Sequence, residues 1–234
     1  MILLFQEDFV GPAGRVRIQG RRYRHIRDIQ RGTPGNELNV GLCDGKTGKG
    51  RIIKFNNDHL EMDVRIDQDP PPAVQITLIL ALPRPIMLKR ILASVTALGV
   101  KKIFLIHSRR VEKSFWQSTL LTGEHIQEPL VLGLEQSRDT GLPQVFLRPR
   151  FKPFVEDELP GLIRGTRALV AHPEATDECP RHVAGPVTLA IGPEGGWIPY
   201  EIGCFQLLGF SSVRLGERIL RVETAIPFLL GRLL

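Results

Sequence analysis

The sequence predicts an α/β protein in two parts: a small β-barrel, then a larger domain built on a mostly parallel sheet. Three observations predict it. Short β-like pieces alternate with turn signals through the first 66 residues. Three consecutive prolines in "DQDPPPA" (67–73) then make a stiff, extended spacer that neither a helix nor a central strand can cross. Beyond it, continuous apolar runs alternate with helical spacing, as strands and covering helices do in α/β domains.

In the N-terminal part the β-like pieces are "RVRIQ" (15–19), "ELNVGLC" (37–43), "RIIKF" (51–55) and "LEMDVRI" (60–66), with turns at "GTPGN", "DGKTGKG" and "NND". After the prolines, "VQITLILAL" (74–82) is a run dominated by apolar residues, as expected of a strand buried on both faces. Met87, Ile91, Val95 and Leu98 follow at helical spacing, and Gly99 is placed to end that helix. Residues 102–107, 144–148, 167–172 and 187–192 read as further strands, and helical signal surrounds "EPLVLGLEQS" (128–137). "YEIGCFQLLG" (200–209) reads as a helix, "SVRLG" (212–216) as a strand and "RVETAIPFLLGRLL" (221–234) as a last helix. No repeat of fixed period and no low-complexity tract interrupts this pattern.

Composition narrows the function classes. With 42% hydrophobic and 24% charged residues and no apolar run long enough to cross a bilayer, a soluble protein is expected, with no membrane partner. The N-terminal "MILLFQEDFV" lacks the features of a secretory signal. Cys43, Cys179 and Cys204 are odd in number, far apart and without zinc-site spacing to any histidine, so a reducing cytoplasm and no metal are expected. The net charge of +6 and a pI near 9.5 suit a polyanionic partner.

That charge is concentrated. "GRVRIQGRRYRHIRDIQRG" (14–32) carries Arg15, Arg17, Arg21, Arg22, Arg24, Arg27 and Arg31 against a single acid, Asp28. Arginine donates a planar fork to phosphate and stacks on bases, and Tyr23 inside the run offers a ring for stacking. An RNA- or DNA-binding face is therefore expected here; the plainer reading is an exposed hairpin with a charged outer face.

Two strand ends run into glycine turns: "TLAIGPEGG", with Gly192, Gly195 and Gly196, and "SVRLGERIL", with Gly216. Ligands of open α/β sheets bind beyond the carboxyl ends of strands, and glycine lets backbone approach them closely. Neither turn has the dinucleotide pattern GxGxxG or the phosphate-loop pattern, and no GxSxG elbow occurs. From these residues alone, "GPEGG" is either a ligand wall or a tight strand-to-helix connection.

Taken together, "IGPEGG", Glu201 seven residues after Glu194, and "LGERILRVETA" (215–225) resemble the C-terminal signature of the RsmE family. These are bacterial small-subunit ribosomal RNA methyltransferases of the knotted SPOUT class. The resemblance runs nearly full length, through "HIRDIQRGTPGNELNVGLCDGKTGKG" (25–50), "LALPRP", "TALGVKKIFLI" and "GLEQSRDTGLPQV". It implies a PUA-like, RNA-binding β-barrel over 1–69 and a SPOUT domain with a trefoil knot over 74–234. It implies a homodimer that uses S-adenosylmethionine to methylate N3 of one uridine in 16S rRNA of the 30S subunit, near the decoding region. Mapped onto this chain, the cofactor site comprises Leu82, Pro83, His172, Ile191, Gly192, Pro193, Glu194, Gly195, Gly196, Leu215, Gly216, Ile219 and Leu220.

N3 of uridine carries a proton between two carbonyls, so the reaction needs a proton acceptor or a group that stabilises the uracil anion. Arg221 is the candidate for stabilising that anion, or else a salt bridge to Glu223 or Glu194 fixes the last loop. Glu223 or Glu194 is the candidate base, or else each caps a neighbouring helix or turn; Thr224 either caps the last helix or contacts the ligands. The chain departs from the common family pattern at Ala97, at Arg138 and Asp139, and in "SRRVEKSFW" (108–116), positions expected on the RNA or dimer face. His25 and His107 read as structural. The competing readings are another SPOUT activity, such as ribose 2′-O-methylation, and an inactive RNA-binding assembly protein.

Overall fold

In the computed structural model, which describes residues 1–11 and 14–234, the N-terminal β-like pieces pair into one five-stranded sheet. Its elements are β1 (Ile2–Leu4), β2 (Arg15–Gln19), helix α1 (Gly20–Asp28), β3 (Glu37–Leu42), β4 (Thr47–Phe55) and β5 (His59–Gln68). The strand order is β1-β3-β4-β5-β2, antiparallel except for β1 on β3, and the sheet is a half-barrel whose edges are β1 and β2. The period-2 pattern places Val16 and Ile18 of β2, Ile52 of β4, and Leu60 and Met62 of β5 in one buried core. Arg15 and Arg17 point the other way and meet their register partners across the ladder, Asp63 at 2.9 Å and Glu61 at 3.0 Å.

The arginine run is not a hairpin. Its second half is α1, because Tyr23 and Ile26, three residues apart, fall on one helical face and reach the same core. The strand β1 was not expected, being only three residues long. Gly48 sits where β4 shifts register against β5, and a Cβ there would lie 1.9 Å from the Arg65 carbonyl oxygen, so only glycine fits.

The chain divides into two units, 1–72 with 134–142, and 73–133 with 143–234. The 134–142 segment is held to the first unit by polar contacts: Glu135 accepts from the Leu3 amide and pairs with Arg21 at 2.7 Å. Asp44 donates its amide to the Thr140 carbonyl and accepts from the Leu142 amide. Asp139 is buried, its carboxylate accepting from the Gly141 amide, and Arg138 beside it takes the left-handed conformation with φ 59°. Asp139 thus folds this loop from within and is not part of its exposed surface.

The second unit contains β6 (Ile76–Ala81), α2 (Pro85–Ala97), β7 (Lys102–Ile106), α3 (Gly123–Ser137, whose last turn belongs to the first unit), β8 (Gln144–Arg148), α4 (Phe151–Pro153) and α5 (Leu159–Leu162). It continues with β9 (Arg167–Ala171), β10 (Val187–Ile191), α6 (Pro199–Leu207), β11 (Ser211–Val213) and α7 (Val222–Leu233). All six strands are parallel, in the order β11-β9-β10-β6-β7-β8. Every residue of β10 is buried, which explains its unbroken apolar sequence. Helix α2 starts on Pro85 and ends at Gly99, whose φ of 85° lets the chain turn into β7. The turn at Phe154–Glu158 between α4 and α5 is π-helical. All three cysteines are free, and no helix among the described residues is long and apolar enough to cross a membrane.

The chain enters the parallel sheet at its middle on β6, builds outward through β7 and β8, and returns on the other side as β9 and β10. Strand order therefore reverses between β6 and β10, the place where crevices open at the carboxyl ends of such sheets.

Candidate functional site

A cavity of about 850 Å³ lies at the carboxyl ends of β9, β10 and β11, within the range of small-molecule sites. Its walls come from three chain segments. The end of β9 gives Ala171 to Glu174, the end of β10 gives Ile191 to Trp197, and the end of β11 with the following loop gives Val213 to Gly216 and Arg218 to Val222. Ile202 of α6 and Leu229 of α7 close the apolar side.

The glycines shape these walls. Gly196 and Gly216 have φ of 72° and 81°, conformations that side chains oppose. Gly192 has a different reason: a Cβ there would stand 3.2 to 3.3 Å from three atoms of the Trp197 indole, which lies against the bare backbone. Trp197 is 3% exposed and is held from behind by Phe205, ring centres 5.1 Å apart. At Gly195 the stem of Arg110 passes so close that a Cβ would meet its Cδ at 3.2 Å, and Arg110 Nη1 donates to the Gly195 carbonyl. Glu201, 2% exposed, joins two segments: one carboxylate oxygen accepts from the Arg109 amide at 2.7 Å and the other from the Ile198 amide at 3.0 Å. It caps α6 and ties the loop after β7 to it.

Buried polar atoms without partners gather here. Among the described residues four side-chain atoms are buried and unpaired, and three of them, His172 Nδ1, Trp197 Nε1 and Arg214 Nε, belong to residues lining this cavity. Buried polar groups are ordinarily paired, so this concentration marks a place built for a polar ligand.

Of the residues expected for the cofactor, His172, Ile191, Gly192, Pro193, Glu194, Gly195, Gly196, Leu215, Gly216, Ile219 and Leu220 line the cavity, as does Arg221. Leu82, Pro83, Glu223 and Thr224 do not. Leu82 is buried directly after β6, its amide donating to the Ile106 carbonyl at 2.9 Å. Thr224 faces outward on the first turn of α7, its amide donating to the Arg221 carbonyl. Arg221 is the N-cap residue of α7, is exposed, and pairs with neither Glu223 nor Glu194 among the described residues. Glu194 is exposed and accepts from the Arg84 amide at 3.2 Å, at the start of α2. Sequence reasoning missed Arg110, Trp197 and Arg214. Only position hinted at them: Trp197 directly follows "GPEGG" and Arg214 directly precedes Leu215-Gly216.

In the first unit the seven arginines divide by partner. Arg22 is half-buried and grips Asp8 through two nitrogens, at 2.5 and 2.8 Å, and the Leu3 carbonyl at 2.7 Å. Arg15, Arg17, Arg21 and Arg27 pair with Asp63, Glu61, Glu135 and Asp28. Arg24 and Arg31 are exposed with no ion-pair partner among the described residues. Tyr23 corrects the expectation of a stacking ring: it is 4% exposed, packs 5.3 Å from Phe55 and donates its hydroxyl to the Asn56 carbonyl. The outward face of β4 adds Lys49, Arg51 and Lys54, cations that the sequence had not singled out.

At the end of β7, the Trp116 indole donates to His107 Nδ1 at 2.9 Å. Burial pushes the His107 pKa below its ordinary value, against the opposing pull of the Glu201 charge. A neutral, structural imidazole results.

A family model described as an RNA methyltransferase domain matches residues 70–234. The chain is 29% identical to the ribosomal RNA small subunit methyltransferase E of Treponema pallidum over 96% of its own length and 86% of the relative's. It is 26% identical to the protein of that name from Mycobacterium bovis, over 98% of this chain and 90% of that one. Among solved structures, it matches a ribosomal RNA small subunit methyltransferase E from Neisseria gonorrhoeae bound to S-adenosyl methionine. That match has a TM-score of 0.76 and 22% identity and covers 99% of this chain and 95% of that one.

Proposed function

We propose that this chain, which belongs to the RNA methyltransferase domain family, transfers a methyl group from S-adenosylmethionine to N3 of a uridine in small-subunit 16S rRNA. The observation that carries the reading is the cavity, where three unpaired buried polar atoms and two left-handed glycines stand among apolar walls.

Those residues fit an adenosylmethionine. Ile191, Ile202, Leu220 and Leu229 offer apolar surface to a flat base. The backbone at Gly192 to Gly196 and at Leu215 to Gly216 offers amides and carbonyls at close range, and His172, Trp197 and Arg214 offer side-chain partners. When bound, this cofactor supplies a sulfonium-activated methyl group. The protein's own work is to hold the uracil and take its proton. Arg221, at the cavity and without an ion pair among the described residues, holds the negative charge that develops on the uracil carbonyls. Glu194 takes the N3 proton on its carboxylate, because it lines the cavity whereas Glu223 does not. Glu201 fixes the loop that carries Arg110 against the glycine turn, so the walls are set before the reactants meet.

The first unit binds the rRNA, through Arg24 and Arg31 and the cations on the face of β4. The resemblance to the RsmE family supports the finer parts of the reading: a PUA-like barrel, a trefoil knot in the second unit, a cytoplasmic homodimer and the 30S subunit as partner. Exposed Tyr200, Leu207, Ile219 and Phe228 of the second unit are the apolar surface that a second copy would cover.

The test is calorimetric titration of the wild type and Gly196→Val with S-adenosylmethionine. A side chain at φ 72° costs about 1–2 kcal/mol of backbone strain, so circular dichroism must first establish that the variant is folded. A folded variant that has lost cofactor binding is expected; full affinity would remove the glycine turn from the site, and a wild type that binds none would favour an inactive RNA-binding protein.

A further inference from the structure

We propose that Arg214 recognises the carboxylate of the cofactor's methionyl part, and so makes the site selective for a ligand that carries an amino acid. The inference rests on the reading of the cavity as an adenosylmethionine site.

The backbone of Arg214 is pinned on both sides directly after β11. Its amide donates to the Asp177 carbonyl and its carbonyl accepts from the Cys179 amide, both at 2.9 Å. The side chain is therefore placed at the cavity wall by fixed backbone. Its Nε is buried and has no acceptor among the described residues. No acid among the described residues forms an ion pair with it. Glu174 lies 3.8 Å from His172 Nε2, Glu194 accepts from the Arg84 amide, and Glu178 pairs with Arg232 at 2.9 Å.

The other cations at the cavity are differently engaged. Arg110 donates to the Gly195 carbonyl, while Arg218 and Arg221 sit exposed on the loop before α7. Among the described residues, Arg214 is the cation at this cavity whose inner nitrogen is buried and lacks an acceptor. A guanidinium in that state needs an anion from the ligand, and its planar fork matches a carboxylate with two parallel hydrogen bonds. The single carboxylate of S-adenosylmethionine is on its amino-acid end. The adenosine end, apolar and flat, suits the Ile191 and Leu220 side. An RNA phosphate would meet an exposed guanidinium more readily than one whose Nε is buried.

The experiment compares two ligands that share adenosine and a thioether. S-adenosylhomocysteine keeps the amino-acid carboxylate and 5′-methylthioadenosine lacks it. Each is titrated calorimetrically into the wild type, Arg214→Ala and Arg214→Lys. The wild type should prefer adenosylhomocysteine, and Arg214→Ala should lose about tenfold or more of that affinity. Methylthioadenosine should bind both proteins alike, which also shows that the variant is folded. Arg214→Lys, keeping the charge without the fork, should fall between. An equal loss for both ligands, or no loss for either, overturns the proposal. Unchanged binding of both ligands with weakened rRNA binding would make Arg214 a phosphate contact and overturn it equally. A wild type that binds neither ligand would remove the cofactor reading itself, and this inference with it.

Discussion

Individual side chains decide which of the arginines between 14 and 32 hold the fold and which are free for a ligand. Arg22 and Asp8 form a largely buried pair that also satisfies the Leu3 carbonyl and the Phe5 amide. Removing one partner leaves an uncompensated charge, so Arg22→Ala should lower unfolding stability by about 3 kcal/mol, read by urea denaturation. Arg24→Ala should change stability by less than about 0.5 kcal/mol. It should instead weaken rRNA binding and reduce the salt dependence by about one counterion, measured by titrations across salt concentrations. A stability loss at Arg24, or an unchanged salt slope, would show that the division is wrong. The cluster of arginines was legible in the sequence, but its division was not, because the partners of Arg15, Arg17, Arg21 and Arg22 are named only by tertiary structure, Asp28 beside Arg27 being the local one. Tyr23 was misread for the same reason: a tyrosine among arginines looks exposed until Ile26 is seen on the same helical face.

At the scale of elements, the ends of strands control the site. Glu201 links the loop after β7 to the start of α6, and Glu201→Ala leaves the Arg109 and Ile198 amides without their buried acceptor. The expected cost is about 2 kcal/mol in denaturant unfolding, with weaker cofactor binding from a loosened Arg110; unchanged affinity would separate the loop from the site. The same loop begins at His107. Its folded pKa is depressed by burial, so the unfolded chain takes up the proton first. The stability contributed by neutral His107 is complete above its ordinary value of 6.5 and is lost as pH falls below it. Unfolding midpoints between about pH 7 and pH 5 should fall less steeply in His107→Gln than in the wild type; identical slopes would contradict this. The strands were legible because β6 and β10 are apolar on both faces, and the turns because glycine is required at φ 72° and 81°. The α4–α5 stretch was hidden by Pro153, Pro160 and Gly161, which weaken its helical signal. β1 was hidden by its length.

For the whole molecule, the division into two units follows the sequence except in one segment. The three prolines close the first unit at residue 72, yet 134–142 returns to it through Glu135, Thr140 and Leu142. No local pattern announces such a return, because its hydrogen bonds span about ninety or more residues. The cavity was legible in its backbone and not in its side chains: the glycines stood in the motif, while Arg110, Trp197 and Arg214 became site residues only when three strand ends converged. Primer extension on rRNA shows whether that cavity serves methyl transfer to a uridine. The protein and S-adenosylmethionine would be incubated with 30S particles lacking the modification, and the 16S rRNA read by primer extension. Methylation at N3 blocks the Watson–Crick edge of uracil. The expected result is a cofactor-dependent stop one nucleotide before a uridine near the 3′ end of 16S rRNA. Cofactor binding without any such stop would contradict it and point to ribose methylation or another RNA.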